Sequence, residues 1–155
     1  MGLIMLSFTI NQATFADIKE LCLLEQASFD TDLITARQYR DFIKKASAEV
    51  TVVRVTDKII GCAIVLYRKN STVARLYSIA IDKDFHGKNM AQSLLDAIEQ
   101  QAILRDCNEM RLEVSVNNLR AISFYEKNSY QCFSQIKAFY ENGDDALRMH
   151  KIFVK

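Results

Sequence analysis

A change of period in mid-chain constrains this sequence most. In "STVARLYSIAI", residues 71–81, Val73, Arg75, Tyr77, Ile79 and Ile81 fall on one parity and Ala74, Leu76, Ser78 and Ala80 on the other. After the polar stretch "DKDFHGKNM", apolar residues recur at helical spacing as Ala91, Leu94, Leu95, Ile98 and Ala102. A second strand pattern, "MRLEVSV" at 110–116, follows. Strand, helix and strand in succession require a crossover, so the two strands pair in parallel with the helix packed on their sheet.

The flanking sequence extends the pattern. "IMLSFTI" (4–10) reads as a first strand and "ATFADIKELCLLEQASF" (13–29) as a helix. There Thr14 and Asp17 form a capping pattern, and Phe15, Ile18, Leu21, Cys22 and Leu24 mark one face. Thr35 with Gln38 opens a second helix, "ARQYRDFIKKA". "EVTVVRV" and "IIGCAIVLY" flank "TDK" as a hairpin. "NLRAISFYEK" is a short helix, and "SYQCFSQIKAFY" and "ALRMHKIFV" are strands joined by the turn "ENGD". The order is β α α β β β α β α β β. It predicts an α/β protein: a twisted mixed sheet of about seven strands with helices on both faces. With 155 residues, no proline, no repeat and no linker-like stretch, residues 1–155 read as one domain. "ALRMHKIFV", taken as an apolar edge strand, leaves both monomer and homodimer open.

Composition narrows the functional classes. A net charge of +1 gives no general drive toward nucleic acid or anionic membrane. No apolar run approaches the roughly 18–20 residues of a membrane span. The start, "MGLIMLSFTI", lacks a basic region and a cleavage site, and Leu6 stands where myristoylation at Gly2 would want Ser or Thr. These points predict a cytoplasmic protein. Cys22, Cys62, Cys107 and Cys132 form no Cys-x-x-Cys pair and read as buried free thiols. With only His86 and His150 as histidines, no metal is expected.

The stretch "DFHGKNMA" stands where a strand gives way to a helix, the context of a phosphate cradle. The first N–H groups of a helix have no internal partner and the helix dipole makes that end positive. Gly87 permits close approach or positive φ, Asn89 tolerates the left-handed region, Ala91 keeps the first turn small, and Lys88 and His86 add charge. From residues alone the stretch is either such a cradle or an ordinary capped helix.

His86, Gly87, Lys88, Asn89, Met90 and Ala91 resemble the acyl-CoA signature of the GNAT superfamily of N-acetyltransferases, Arg/Gln-x-x-Gly-x-Gly/Ala. Here His86 stands where Arg or Gln is usual and Asn89 where the central Gly is usual. "LEVSVNNLRAISFYEKNSYQCF" resembles the family's later segment, with Ser129-Tyr130 in place of its Gly-Phe pair. Glu113, Asn118, Tyr125 and "FYENGDDALRM" are similar to the ribosomal-protein alanine N-acetyltransferase branch. The resemblance covers essentially the whole chain. It implies transfer of acetyl from acetyl-CoA to a primary amine, directly, within a ternary complex.

That chemistry has three tasks: deprotonate an ammonium, stabilise a developing oxyanion, and protonate a leaving thiolate. From pattern alone Glu113 is a solvated or Arg-paired glutamate, Tyr125 a core aromatic and Asn118 an N-cap. The resemblance makes Glu113 the base, which burial would render more basic, Tyr125 the acid, and Asn118 a partner of the CoA arm. It also puts the oxyanion donor among the backbone N–H groups of Ile79, Ala80 and Ile81. Two acidic loops, with Asp30 and Asp32 and with Glu141, Asp144 and Asp145, resemble the borders of the acceptor cleft and would attract a cationic amine. An α-amine titrates near pH 8 and a lysine near about 10.4, which favours a protein N-terminus as acceptor. The alternatives are a small amine (polyamine, amino acid or antibiotic) and a CoA-binding sensor or interaction module without catalysis.

Overall fold

The computed structural model describes residues 7–153. The strands are β1 (Thr9–Gln12), β2 (Ala48–Val55), β3 (Lys58–Tyr67), β4 (Val73–Ile81), β5 (Glu109–Ser115), β6 (Gln131–Ile136) and β7 (Ala146–Ile152). The helices are α1 (Ile18–Ser28), α2 (Ala36–Lys44), α3 (Met90–Leu104) and α4 (Leu119–Lys127). One seven-stranded sheet runs β1-β2-β3-β4-β5-β7-β6. The β4–β5 pair is parallel, as the crossover through α3 requires, and every other neighbour is antiparallel. The predicted class, element order and strand number agree with this.

Two apolar layers sandwich the sheet. On one face Leu94, Leu95, Ile98 and Ala102 of α3 and Tyr125 of α4 pack with Met110, Leu112 and Val114 of β5 and Met149 of β7. On the other, Leu21 and Leu24 of α1 and Tyr39 and Phe42 of α2 cover Val50, Val52, Cys62 and Ile64. Both expected capping patterns form. Asp17 Oδ2 accepts from the Thr14 N–H at 2.8 Å, and Thr35 and Gln38 exchange bonds of 2.9 and 3.2 Å. Buried Glu99 of α3 accepts from the Tyr130 hydroxyl and from Lys151 Nζ, each at 2.8 Å.

Several expectations need correction. β7 is not an edge strand: the hairpin folds it between β5 and β6, so β6 forms that edge. The predicted strand at 129–140 pairs only over Gln131–Ile136, because Ala138 takes a left-handed conformation and the chain leaves the ladder. The strand expected over 4–10 begins partly outside the described residues and pairs over Thr9–Gln12. Phe15 sits in a 3-10 turn before α1 and is 51% exposed. Of the cysteines, Cys62 and Cys107 are buried, Cys22 partly so, and Cys132 lies exposed on the edge strand. Among the described residues no helix is long and apolar enough to cross a membrane.

Leu94 is fully buried while Leu104, at the exposed end of the same helix, is 75% accessible. Leu94→Ala should therefore cost about 2–5 kcal/mol in urea unfolding. Leu104→Ala should stay within about 0.5 kcal/mol of the parent.

Candidate active site

The ladder between β4 and β5 covers only Val73–Leu76 against Glu109–Leu112. Beyond it β4 continues to Ile81 on β3 alone and β5 continues to Ser115 on β7 alone. A groove of about 1250 Å³ lies in the gap. A β-bulge prepares the divergence. Val65 faces Leu76 and Ile64 faces Ser78, so Tyr77 is an extra residue on β4. This overturns the simple alternation expected for the strand. Ala74 and Leu76 face the α3 side, and past the bulge Ile79 and Ile81 face it too, while Ala80 turns toward α1 and α2.

The loop after β4 builds one wall. Gly87 has φ 77°, and Asn89 takes the left-handed conformation at φ 61°, ψ 13° immediately before α3. The first bond of the α3 ladder runs from Ser93 N–H to the Asn89 carbonyl at 3.0 Å, so the N–H groups before Ser93 stand outside it. Gly87, Asn89, Met90 and Ala91 line the groove beside them. Two charge expectations fail here. Lys88 does not line the groove, and its ammonium sits 6.0 Å above the Phe85 ring. His86 Nδ1 lies 2.7 Å from Arg120 Nη1, and a guanidinium can only donate. The ring therefore accepts there and donates through Nε2 to the Ile81 carbonyl at 2.8 Å, an arrangement of the neutral imidazole. Arg120 lines the groove here, as do Lys83 of the same loop and Lys127 of α4.

The α4 helix and strand β5 supply the floor. Asn118 Oδ1 caps α4 by accepting from the Ala121 N–H at 3.2 Å, and the residue also lines the groove. Tyr125 is 6% exposed and packs against Phe124 and Tyr130, with ring centroids 5.6 Å away in each case. Burial, with Tyr140 nearby, pushes its hydroxyl well above the usual phenol range, so it stays protonated near neutral pH.

The third wall faces α1 and α2. Glu113 projects from β5 on the side opposite Met110, Leu112 and Val114, and its carboxylate is 9% exposed. It is ion-paired with Arg75 Nη2 of β4, so it is not an isolated buried charge. Tyr140 overlooks the pair. Its hydroxyl is pushed up to about 12 by burial and by the charges of Glu113 and Asp32, with Arg75 opposing. The two acidic loops meet, since the Glu141 N–H donates to Asp32 Oδ2 at 3.1 Å. Asp144 accepts from Ser115 Oγ at 3.0 Å, and Asp30, Asp32 and Asp144 line the groove while Glu141 and Asp145 do not. Glu25, 4% exposed, anchors the first loop by accepting from the Ile34 N–H at 2.9 Å and the Tyr39 hydroxyl at 3.3 Å. Burial raises its pKa.

The groove thus gathers Ile79, Ala80, Ile81, His86, Gly87, Asn89, Met90, Ala91, Glu113, Asn118 and Tyr125, with Lys88 as the exception. Sequence reasoning missed Arg75, Arg120, Tyr140 and Glu25. Glu25 carried a signal, a carboxylate on the last turn of an otherwise apolar helix face; the others depend on tertiary placement. Among the described residues, no three His, Cys, Asp or Glu side chains cluster as metal ligands.

Comparison with known proteins agrees with this geometry. Residues 15–130 match the acetyltransferase (GNAT) family. N-alpha-acetyltransferase 30 of Schizosaccharomyces pombe is 28% identical over 84% of this chain and 89% of its own length. The crystal structure of Ard1 from Thermoplasma volcanium superposes with a TM-score of 0.88 at 24% identity, covering 96% of this chain and 99% of that one. The ribosomal-protein-S18-alanine N-acetyltransferase of Escherichia coli gives a TM-score of 0.85 at 20% identity, covering 96% of both chains. A bulged strand diverging from its parallel neighbour beside a helix N-terminus, and a family match across most of the chain, lead to one conclusion: this protein is a member of the acetyltransferase (GNAT) family.

Proposed function

We propose that this protein transfers the acetyl group of acetyl-CoA directly to the α-amine of a polypeptide N-terminus. The observation that carries the reading is the gap between β4 and β5, which opens one groove to both faces of the sheet. The α3 N-terminus and Tyr125 reach it from one side, and Glu113, Tyr140 and the acidic loops reach it from the other. The names of the fission yeast and Escherichia coli relatives support a polypeptide acceptor.

The cradle fits a pyrophosphate. It has N–H groups outside the helical ladder, a left-handed Asn89, a small Ala91 and the Arg120 cation. Asn118 holds the pantetheine arm. Acetyl-CoA supplies an activated thioester. Glu113, oriented by Arg75, takes the proton from the incoming ammonium directly or through a water. A backbone N–H among Ile79, Ala80 and Ile81, on the side of β4 that has lost its β5 partner, stabilises the carbonyl oxygen as charge develops. Tyr125, protonated near neutral pH, gives its proton to the departing sulfur. Tyr140 and Asp32 hold the acceptor at the mouth. The acidic rim favours a cation in solution, and an α-amine, titrating near about pH 8, releases its proton more readily than a lysine.

Calorimetric titration with acetyl-CoA should show one-to-one binding, weakened when the 3′-phosphate is missing. Asn89→Gly should hold that affinity within about threefold, whereas Asn89→Val, which disfavours positive φ, should weaken it by about tenfold or more. With an N-terminal peptide as acceptor, Glu113→Gln and Tyr125→Phe should each lower kcat by about a hundredfold while leaving acetyl-CoA affinity within about twofold. Wild-type turnover in either variant would remove that residue from the mechanism. With Tyr125 raised, its loss of a proton should not cut kcat on the alkaline side below about pH 9.5. Glu25→Ala should raise the acceptor KM severalfold and leave acetyl-CoA binding unchanged.

A further inference from the structure

The acceptor face of the sheet is covered over only half its width. α1 and α2 pack on β2, β3 and β4, and among the described residues no helix lies over β5, β7 and β6 on that side. Phe133 of the edge strand β6, 40% exposed, lies on this open half. Its ring is 4.7 Å from that of His150, 5.3 Å from the Arg111 guanidinium and 5.1 Å from that of Arg148. Arg111 and His150 share the carboxylate of Glu109, at 2.6 and 3.0 Å. Arg148 shares nothing comparable. It stands opposite Glu113 in the β5–β7 register, yet among the described residues no carboxylate lies within 4.0 Å of it. A guanidinium without an ion pair within 4.0 Å among the described residues thus stands one strand away from the proposed base. A site built for a bare ammonium gains nothing from a cation there, since the two repel.

We propose that this face docks acidic side chains of the acceptor polypeptide, downstream of its reacting amine. The inference rests on the polypeptide acceptor argued above. With the amine at Glu113, the rest of the acceptor has to leave on the acceptor face. α1 and α2 block one direction, and the loops joined through Asp32 and Glu141 border the mouth that holds the amine end. Beyond that mouth the uncovered surface of the sheet runs across β7 toward β6. Strands lie about 4.8 Å apart and an extended chain advances about 3.3 Å per residue, so residues roughly two to five positions after the amine come over Arg148 and Phe133. The charge distribution selects a short acidic peptide over a polynucleotide. Glu109 and Glu113 already offset part of the face, and the Asp30, Asp32 and Asp144 rim repels a continuous polyanion.

The test uses peptides with identical first and second residues and Glu, Ser or Lys at the third to sixth positions. The Glu series should exceed the Lys series in kcat/KM by roughly threefold to tenfold at low ionic strength, and the difference should shrink in about 0.5 M salt. Arg148→Gln should abolish the preference and Arg148→Glu reverse it, with acetyl-CoA titration verifying an intact groove. Arg68→Glu, in the turn at the opposite end of β3, should keep it. Equal rates across the three series, or a preference that survives Arg148→Glu, would overturn the proposal. So would competitive inhibition by polyuridylate that Arg148→Glu relieves, which would give the face to RNA. Acetyl-CoA binding with no peptide acetylated at all would instead overturn the polypeptide acceptor itself.

Discussion

Everything at the groove depends on two strands that begin paired and then part. A parallel pair holds neighbours about 4.8 Å apart for as long as its hydrogen bonds persist, which leaves no room for a ligand between them. The extra residue at Tyr77 breaks the β4 rhythm one step after the last β4–β5 partner. β4 then follows β3 while β5 follows β7, each remaining in a well-bonded half-sheet. The backbone groups freed along β4 face a ligand-sized space. The same extra residue sends Ile79 and Ile81 into the α3 core and leaves Arg75 and Tyr77 on the other side. One inserted residue thus opens the site and sorts the side chains around it.

The electrostatic design of the two walls differs. The α3 wall relies on backbone N–H groups and the cations Arg120 and Lys83, with the His86 ring acting as a strut between Arg120 and the end of β4. The acceptor wall relies on side-chain carboxylates held in fixed geometry. Glu113 is tied to Arg75, Asp32 to the Glu141 backbone, and Glu25 to the Ile34 backbone. A buried carboxylate without such partners would be costly. Each of these carboxylates has at least one donor, which fixes the acidic groups that line the groove.

The parts legible in the sequence were those with a period or a local rule. Helices α2 and α3, the β2–β3 hairpin, the two capping patterns and the left-handed Asn89 all follow from spacing or from one residue's conformational freedom. The bulge at Tyr77 was not legible, because an insertion of one residue in a run of Val, Ile, Leu and Tyr leaves the composition of the strand unchanged. The pairing of Arg75 with Glu113 joins residues 38 positions apart through a parallel register that sequence alone does not set. Lys88 and His86 were expected to carry charge to the loop. Residue type fixed what they could do, but the placement of Phe85 and Arg120 decided what they did. The resemblance to a known family located Glu113 and Tyr125, which pattern alone would have left as a paired surface glutamate and a core aromatic.

A groove that passes through the sheet also organises traffic. A bulky nucleotide on the α3 side and a long polypeptide on the α1–α2 side would approach from opposite directions and meet only at their reactive ends. Neither has to leave for the other to arrive, and neither limits the other's size. An enzyme of this shape can work on the tip of a partner far larger than itself, including a chain still attached to the machinery that made it, because only the first few residues ever cross its threshold.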